Sequence, residues 1–333
     1  MKHAILKKYW GYDGFRPMQE EIIDSVLAGH DTLGLLPTGG GKSITFQVPA
    51  LILPGLTLVV TPLISLMKDQ VDNLADRGVR AVMFHSGLTR REKELAMTRC
   101  RLGKAKIAYV SPERLQNKEF LAELRNLKVS LLVVDEAHCI SQWGYDFRPS
   151  YLRIAPLRDI IGRDVPVLAL TASATPEVRD DIMRSLGFDA PRVFARSFSR
   201  SNLSYIVRHA DFKETQLLRV LGGTQGCSIV YVRSRRRTRE LAELLQREGI
   251  SAEAYHAGLS PEEKEERQNR WKTDRVRVMV ATNAFGMGID KPDVRVVVHF
   301  DLPSSLEEYY QEAGRGGRDG LPSFAVAITG RQD

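Results

Sequence analysis

The segment LGLLPTGGGKS, residues 33–43, decides the fold of this 333-residue chain. An apolar run leads into three glycines, which are followed by Lys42 and Ser43. This order predicts a buried strand, a glycine loop and a helix, the arrangement that binds a pyrophosphate in α/β proteins. Glycines at 39–41 let backbone amides approach a phosphate closely, while Lys42 reaches the β- and γ-phosphates and the Ser43 hydroxyl is a ligand for Mg²⁺. The strict pattern has glycine where Leu36 stands, and a glycine-rich turn without a ligand is the alternative.

The rest of the chain repeats this alternation of short apolar runs and amphipathic stretches. Continuous Val/Leu/Ile runs predict strands that are buried on both faces of a parallel sheet. They are TLGLL (32–36), TLVV (57–60), LLVV (131–134), VPVLAL (165–170), SIVYV (228–232), VRVMVA (276–281) and VRVVVHF (294–300). Helical patterns at 65–78 and 237–249 each end in a glycine suited to a helix C-terminus. The sequence therefore predicts an α/β fold with right-handed crossovers.

The chain also contains an internal repeat at an offset of 171 residues. FHSGLTRREKE (84–94) and YHAGLSPEEKE (255–265) each follow a predicted strand, helix and second strand. Two copies of one supersecondary plan predict two similar α/β domains. The polar, Ser/Arg-rich stretch 196–206 is the expected hinge, which gives domains of residues 1–200 and 201–333. The alternative is a surface loop inside one large domain.

Composition excludes several classes of protein. With 43% hydrophobic and 27% charged residues, the chain is typical of globular proteins and unlike disordered or fibrous ones. The three cysteines lie far apart, so we expect neither a disulfide framework nor a zinc site. The start lacks the apolar core of a signal peptide, and the most apolar window, 50–67, is interrupted by Pro54 and Pro62, so no membrane partner is expected. A net charge of +7 fits a polyanion partner, although a solvated surface is the simpler explanation.

A second segment with chemical character is LLVVDEAHCISQW, residues 131–143. Its apolar run predicts a strand that delivers Asp135 and Glu136 at its carboxyl end, where α/β sheets place their sites. Asp135 is expected to hold Mg²⁺ through water, and Glu136 is expected to orient and deprotonate the attacking water. A helix start with acidic residues at its positive end is the alternative.

An aromatic and polar patch, YDGFRPMQEE (12–21), precedes the glycine loop. Tyr12 and Arg16 could sandwich a flat base, and the amide of Gln19 matches the donor and acceptor edge of adenine. From spacing alone, a helix cap made of the same residues is an equal alternative.

Taken together, these strings resemble the RecQ family of DNA helicases over nearly the whole chain. The matching segments are FRPMQ (15–19), LPTGGGKS (36–43), VVTPLISLMKDQ (59–70), YVSPERL (109–115), DEAHCISQWGYDFRPSY (135–151), LALTASAT (168–175), IVYVRSR (229–235), YHAGL (255–259), VMVATNAFGMGIDKPDVRVVVHFDLP (278–303) and QEAGRGGRDG (311–320). The SQWG-x-DFRP segment is the most specific of them, because it separates RecQ-like proteins from RNA-directed DEAD-box and DEAH relatives. With this resemblance we expect a cytoplasmic protein associated with the bacterial nucleoid.

The resemblance implies two tandem RecA-like domains, each a mostly parallel sheet flanked by helices, with ATP bound in the cleft between them. It implies that Arg315 and Arg318 reach the nucleotide and that Arg318 stabilises charge on the leaving γ-phosphate. From the residues alone, a solvated basic turn is the simpler interpretation of this pair. Thr171, Ser173 and Thr175 resemble the motif that links the ATP site to DNA. The implied nucleotide-binding residues are Tyr12, Arg16, Gln19, Thr38, Gly39, Gly40, Gly41, Lys42, Ser43, Asp290 and Gln311, and the Mg²⁺ ligands are Ser43 and Asp135.

The loop after the acid pair is the main candidate for DNA contacts. This aromatic loop, residues 141–151, holds Trp143, Tyr145, Phe147, Arg148 and Tyr151. Aromatic faces beside an arginine could form a stacking platform for unpaired bases, and a small hydrophobic cluster under a loop is the alternative. The resemblance implies that this loop couples DNA binding to hydrolysis, although many relatives have His where this chain has Tyr145. Loops at strand ends supply further expected phosphate contacts, namely Thr61, Ser65, Lys68, Arg233 and Arg235. The basic run 235–237 is alternatively an exposed helix start.

Together, these expectations predict an ATP-dependent DNA helicase of the RecQ type. Its expected partners are single-stranded and forked DNA, and its expected cofactors are ATP and Mg²⁺. Melting costs about 1.4 kcal/mol per base-pair step, so ATP-driven closing and opening of the cleft are expected to power movement. The direction, 3′→5′, comes from the resemblance alone. RecQ relatives usually continue into a zinc-binding module and a winged-helix domain, whereas this chain stops at Asp333, so a DNA-stimulated translocase with little unwinding is the main alternative. A non-catalytic nucleic-acid-binding scaffold is a third interpretation, which the complete set of phosphate-loop, acid and arginine residues disfavours.

Overall fold

The structure is a computed structural model that describes residues 1–37, 39–144, 146–172, 174–195, 199–286 and 291–330, and the backbone only of Ser65. Four residues with predicted roles lie outside the described residues, namely Thr38, Tyr145, Ser173 and Asp290. The chain divides into two units, Met1–Phe198 and Ser199–Asp333. This division lies two residues before the one expected from the sequence.

A parallel sheet forms the centre of the first unit. Its strands are β1 (Thr32–Leu35), β2 (Leu56–Val60), β3 (Ala81–Phe84), β4 (Ile107–Val110), β5 (Val129–Val134), β6 (Val167–Thr171) and β7 (Arg192–Ala195). They lie in the order β3-β4-β2-β5-β6-β1-β7, and neighbouring strands are parallel. Successive side chains of a strand enter different cores, so Leu58 and Val60 pack in one core and Val59 in the other. Burial on both faces explains why these strands are continuous apolar runs in the sequence.

Helices cover both faces of this sheet. They are α1 (Lys2–Trp10), α2 (Gln19–Leu27), α3 (Ile44–Ile52), α4 (Ile64–Asp76), α5 (Arg90–Arg101), α6 (Lys118–Leu124), α7 (Leu157–Ile161) and α8 (Pro176–Ser185). None of the helices in the described part of the chain combines the length and the apolarity that crossing a bilayer requires.

The second unit has its own parallel sheet and its own cores. Its strands are β8 (Leu203–His209), β9 (Cys227–Tyr231), β10 (Ala252–Tyr255), β11 (Val278–Ala281), β12 (Val294–His299) and β13 (Ser323–Thr329). Its helices are α9 (Lys213–Gly222), α10 (Arg235–Arg247), α11 (Pro261–Lys272) and α12 (Leu306–Ala313). The strand order is β10-β11-β9-β12-β13-β8, with neighbouring strands parallel.

The internal repeat of the sequence is also a repeat of structure. The elements β2, α4, β3, α5 and β4 have counterparts β9, α10, β10, α11 and β11, and every bound is 171 residues higher in the second unit. The helix starts agree as well, because Thr89 and Ser260 each form a capping box, with Glu92 and Glu263 respectively. The predicted fold class, two similar α/β units with mostly parallel sheets, is confirmed.

The sequence analysis did not predict the edge strands β7 and β8. Part of the stretch 196–206, interpreted as a polar hinge, is the start of β8 at Leu203. Both strands are largely exposed, so they lack the continuous apolar run that marks a central strand. The basic run 235–237 begins α10, where the Ser234 hydroxyl accepts a hydrogen bond from the amide of Arg237. Its local structure is thus the helix start that was the alternative interpretation.

Candidate active site

The glycine loop joins the carboxyl end of β1 to the start of α3. Gly39 and Gly41 have φ angles of 80° and 76°, in the left-handed region that favours glycine. A Cβ atom on Gly41 would overlap the side-chain amide of Gln19, so this position has no room for a side chain. Ser43 is the N-cap residue of α3 and directly precedes its first turn. The loop therefore presents backbone amides and a helix N-terminus, which are the groups that bind a pyrophosphate.

Two residues that were predicted to bind adenine, Arg16 and Gln19, donate hydrogen bonds to backbone carbonyls of the glycine loop. The Arg16 guanidinium donates to the Gly39 carbonyl at 2.6 Å, and the Gln19 amide donates to the Gly41 carbonyl at 2.9 Å. The Gln19 side-chain oxygen accepts from the Arg16 backbone amide at 2.8 Å. Gln19 is 3% exposed, whereas Tyr12 is 52% exposed. Thus Arg16 and Gln19 position the loop, and Tyr12 has an accessible aromatic ring.

The acid pair follows β5 at the same sheet edge as the glycine loop. Lys42 Nζ lies 3.2 Å from Glu136 Oε1, so the lysine and the expected base are brought together from positions 94 residues apart. Thr61 donates to Asp135 Oδ2 at 3.3 Å, and the Glu136 amide donates to Asp135 Oδ1 at 3.0 Å. Burial, reinforced by the charge of Glu136, raises the pKa of Asp135 to about 6. Glu136 has a φ of 48°, a strained backbone of the kind that clusters at functional sites.

His138 is a site residue that the sequence analysis missed, although the DEAH string contains it. Its Nδ1 is 2.9 Å from Thr171 Oγ1, at the end of β6, and 3.5 Å from Glu136 Oε2. Burial lowers the pKa of this histidine, so its ring is neutral at physiological pH. Tyr151 donates to the backbone carbonyl of Asp135 at 2.9 Å, which ties the end of the aromatic loop to the acid pair.

Among the described residues of the aromatic loop (141–144 and 146–151), Trp143 has the most exposed ring. Trp143 is 79% exposed, the position that a base-stacking side chain needs. Arg148 donates to Asp146 through Nε and Nη2, at 3.1 and 2.9 Å, so its guanidinium is held by an acid within the loop. Phe147 is half-buried.

Thr61 does not have the exposed position that a DNA contact needs. It is 1% exposed, and its hydroxyl donates to Asp135. The reason is that Thr61 directly follows β2, which is adjacent to β5 in the sheet, so its side chain faces the acid pair. Lys68 is exposed on α4.

In the second unit, the segment QEAGRGGRDG (311–320) contains a buried arginine. Arg315 is 4% exposed and lies beside the Tyr231 ring, whose hydroxyl donates to the Phe285 carbonyl at 2.7 Å. Nearby, His299 Nε2 is 3.0 Å from Glu312 Oε2. Two of the other predicted residues, Gln311 and Arg318, are half-buried on the same segment.

The predicted DNA contacts of this unit are exposed. The Arg233 amide donates to Asp301 Oδ2 at 2.9 Å, and its side-chain Nε donates to the Leu302 carbonyl at 2.8 Å. Arg235 lies over Gly258, because a Cβ atom added there would meet its guanidinium at 2.9 Å. The structure thus groups Lys42, Asp135 and Glu136 in the first unit and Arg315 with Arg318 in the second.

Comparisons with protein families identify the class. The family model described as "DEAD/DEAH box helicase" matches residues 16–182, and the one described as "Helicase conserved C-terminal domain" matches residues 213–320. Solved structures with the same fold include the helicase MrfA bound to DNA, with a TM-score of 0.81 and 18% identity over 99% of this chain and 48% of that one. Another is Mss116p bound to single-stranded RNA and AMP-PNP, with a TM-score of 0.79 and 19% identity over 99% of this chain and 72% of that one. Fold and glycine loop together therefore define a two-unit DEAD/DEAH box helicase core.

Curated relatives narrow the class to a family. The chain is 47% identical to the ATP-dependent DNA helicase RecQ of Pasteurella multocida, over 97% of this chain and 51% of the relative. It is 44% identical to RecQ of Bacillus subtilis over 99% of this chain and 56% of that protein. With RecQ of Synechocystis the identity is 42% over 97% of this chain and 70% of the relative. The chain belongs to the RecQ family, and it spans about half the length of the first two of these relatives.

Proposed function

We propose that this chain is an ATP-dependent DNA helicase that couples ATP hydrolysis to 3′→5′ movement on single-stranded DNA and to unwinding of forked duplexes. The observation that carries the proposal is the 3.2 Å contact between Lys42 Nζ and Glu136 Oε1 beside the glycine loop. A phosphate-binding cation and a carboxylate base at one sheet edge are what phosphoryl transfer to water requires. The names of the relatives, ATP-dependent DNA helicases, support the same activity.

The chain's own residues fit Mg²⁺-bound ATP. Left-handed glycines and a helix N-terminus form a cradle for the phosphates, and Ser43 and Asp135 would hold the cation. The nucleotide supplies the phosphoanhydride bond, and its Mg²⁺ supplies charge that neutralises the phosphate oxygens. When phosphate oxygens take the Lys42 ammonium, Glu136 is left to orient and deprotonate water. Arg315 and Arg318 complete the proposed site from the second unit, with Gln311 facing the nucleotide.

The proposed coupling to DNA runs through the aromatic loop. A base stacked on Trp143 would change the position of this loop. The loop ends at Tyr151, whose hydroxyl donates to the Asp135 carbonyl at 2.9 Å, so the change would reach the acid pair. Phosphate contacts from Lys68, Arg233 and Arg235 carry no sequence code, so binding should tolerate any sequence and weaken as salt rises. We further propose that the protein acts on nucleoid DNA in a bacterial cytoplasm.

One set of assays tests this function. ATP hydrolysis is measured alone, with single-stranded DNA and with a forked duplex, while strand separation is followed by fluorescence. Lys42→Ala and Glu136→Gln are each expected to lower the hydrolysis rate by about 100-fold or more, because each removes a group required for transfer.

The matched controls are Lys104→Ala and Glu119→Gln, at exposed positions of the same unit. Both are expected to keep the wild-type rate. If DNA strongly stimulates hydrolysis but no strands separate, the function is that of a translocase and not a helicase. If the wild type does not hydrolyse ATP, the function is that of a non-catalytic binding scaffold.

A further inference from the structure

Three potential metal ligands converge where the DEAH segment meets the aromatic loop. His138, Cys139 and Asp146 each offer one ligand atom, and these atoms all lie within 4.8 Å of one another. The Cys139 sulfur is 3.7 Å from His138 Nε2 and 3.7 Å from Asp146 Oδ2. His138 and Cys139 are fully buried, whereas Asp146 is half-buried and gives access from solvent.

Two of the three separations between these atoms match the coordination sphere of a tetrahedral cation, and the third, between His138 and Asp146, is at most 4.8 Å. With bonds of about 2.3 Å to sulfur and about 2.0–2.1 Å to nitrogen or oxygen, two ligands at a tetrahedral angle lie ~3.6 Å apart. The two separations of 3.7 Å from the Cys139 sulfur are within about 0.1 Å of that value. A set of one nitrogen, one sulfur and one oxygen suits Zn²⁺ and other thiophilic divalent cations, and it does not suit Mg²⁺.

The surroundings also orient the histidine as metal sites do. Its Nδ1 is hydrogen-bonded to Thr171 Oγ1 at 2.9 Å, which places Nε2 on the side of the Cys139 sulfur. A hydrogen bond on one ring nitrogen of a histidine fixes the other nitrogen as the ligand. Arg148 donates to Asp146 Oδ2, the same oxygen that lies 3.7 Å from the Cys139 sulfur, so a bound cation would share this oxygen with the guanidinium or displace it.

We propose that His138 Nε2, Cys139 Sγ and a carboxylate oxygen of Asp146 form a binding site for a thiophilic divalent cation such as Zn²⁺. Water occupies the fourth position, and the thiol proton passes to solvent when the sulfur binds the cation. The sequence expectation of no zinc site considered only the spacing of cysteines, whereas this set contains one cysteine. A cation here would tie the aromatic loop to the histidine that contacts Glu136, and its binding does not depend on the proposed helicase activity.

Co²⁺ is the probe that tests the site in the full chain. It is titrated into the protein without nucleotide, in a thiol-free reductant, while the ultraviolet–visible spectrum is recorded. We expect a thiolate-to-Co²⁺ charge-transfer band that saturates at one equivalent and disappears when Zn²⁺ is added. Excess Mg²⁺ should leave the band unchanged. No band in the wild-type protein would overturn the proposal.

The two other cysteines of the chain provide matched controls. Cys139→Ser should abolish the band, whereas Cys100→Ser and Cys227→Ser, at other buried positions, should retain it. Asp146→Ala changes a half-buried residue, so it tests the site even if Cys139→Ser fails to fold. It should weaken Co²⁺ binding at least about tenfold. A band that survives in Cys139→Ser, or an affinity unchanged in Asp146→Ala, would also overturn the proposal.

Discussion

At the scale of single residues, the partners of an acid indicate whether it stabilises the fold or belongs to the candidate site. Asp31 is a buried acid of the first unit and Asp135 is a half-buried one, and their partners differ. Asp31 accepts from the Arg158 guanidinium at 2.9 and 3.2 Å and from two backbone amides, so its charge is fully compensated. Asp135 faces a second acid and has a raised pKa, as expected of a group kept for a ligand.

Replacing Asp31 should destabilise the first unit. Asp31→Asn is expected to lower the free energy of unfolding by about 3 kcal/mol, because it leaves the Arg158 charge buried without its partner. Urea unfolding followed by circular dichroism measures the change. Asp76→Asn, at an exposed acid of α4, is the control and should change the midpoint little. Equal midpoints for both variants would contradict this role of Asp31.

Asp135 gives the stability a defined pH dependence. Its pKa is about 6 in the folded chain and about 3.9 when unfolded, so the folded state alone holds the proton between those values. Stability of the wild type should therefore fall as pH rises from about 4 to about 6 and change little above. The amide of Asp135→Asn has no proton to lose in this pH range, so the variant should not become less stable as pH rises. Its melting temperature should therefore exceed the wild-type value at pH 7 and approach it at pH 4. Thermal melts without nucleotide or Mg²⁺ test this, and a difference that does not vary with pH would refute it.

At the scale of elements, the sheet edge assembles the site. The glycine loop follows β1, Thr61 follows β2, the acid pair follows β5 and Thr171 ends β6. These strands lie side by side and parallel, so their carboxyl ends meet at one edge. The aromatic loop follows the acid pair at the same edge, and the Tyr151 hydroxyl at its end donates to the Asp135 carbonyl. This connection is the basis of the proposed coupling between Trp143 and the acids.

The loop's exposed ring should govern the response to DNA. Trp143→Ala is expected to raise the single-stranded DNA concentration for half-maximal ATPase stimulation about tenfold, because stacking on an aromatic ring contributes about 1–3 kcal/mol per base. ATP binding without DNA should not change. Phe212→Ala is the control, since Phe212 is an exposed aromatic residue (75%) outside the loop. A wild-type DNA response in Trp143→Ala would disprove the proposed platform.

At the scale of the whole molecule, two copies of one plan carry different chemistry. The repeated elements agree in every bound, yet the phosphate loop and acid pair lie in the first unit and the arginine pair lies in the second. In the proposed mechanism, hydrolysis requires residues from both units and therefore responds to DNA that both units bind. This division of labour is the basis of the proposed motor.

Removing the arginine of the second unit should stop hydrolysis while leaving nucleotide binding nearly intact. Arg318→Ala is expected to lower the ATPase rate about 10³-fold, as loss of an arginine finger does, while the dissociation constant of a fluorescent ATP analogue changes little. Arg247→Ala, an exposed arginine at the end of α10, is the control. A normal rate in Arg318→Ala would remove the second unit from the proposed site.

The sequence by itself determined the fold class, the repeat and the candidate nucleotide residues, because apolar runs, helix-ending glycines and the glycine loop depend on neighbours in the chain. The tertiary structure alone decided which distant groups meet. It paired Lys42 with Glu136 across 94 positions and Asp31 with Arg158 across 127, and it turned Thr61 toward Asp135. Such contacts depend on strand order and on burial, and a linear sequence does not specify distances between side chains that only sheet formation brings together.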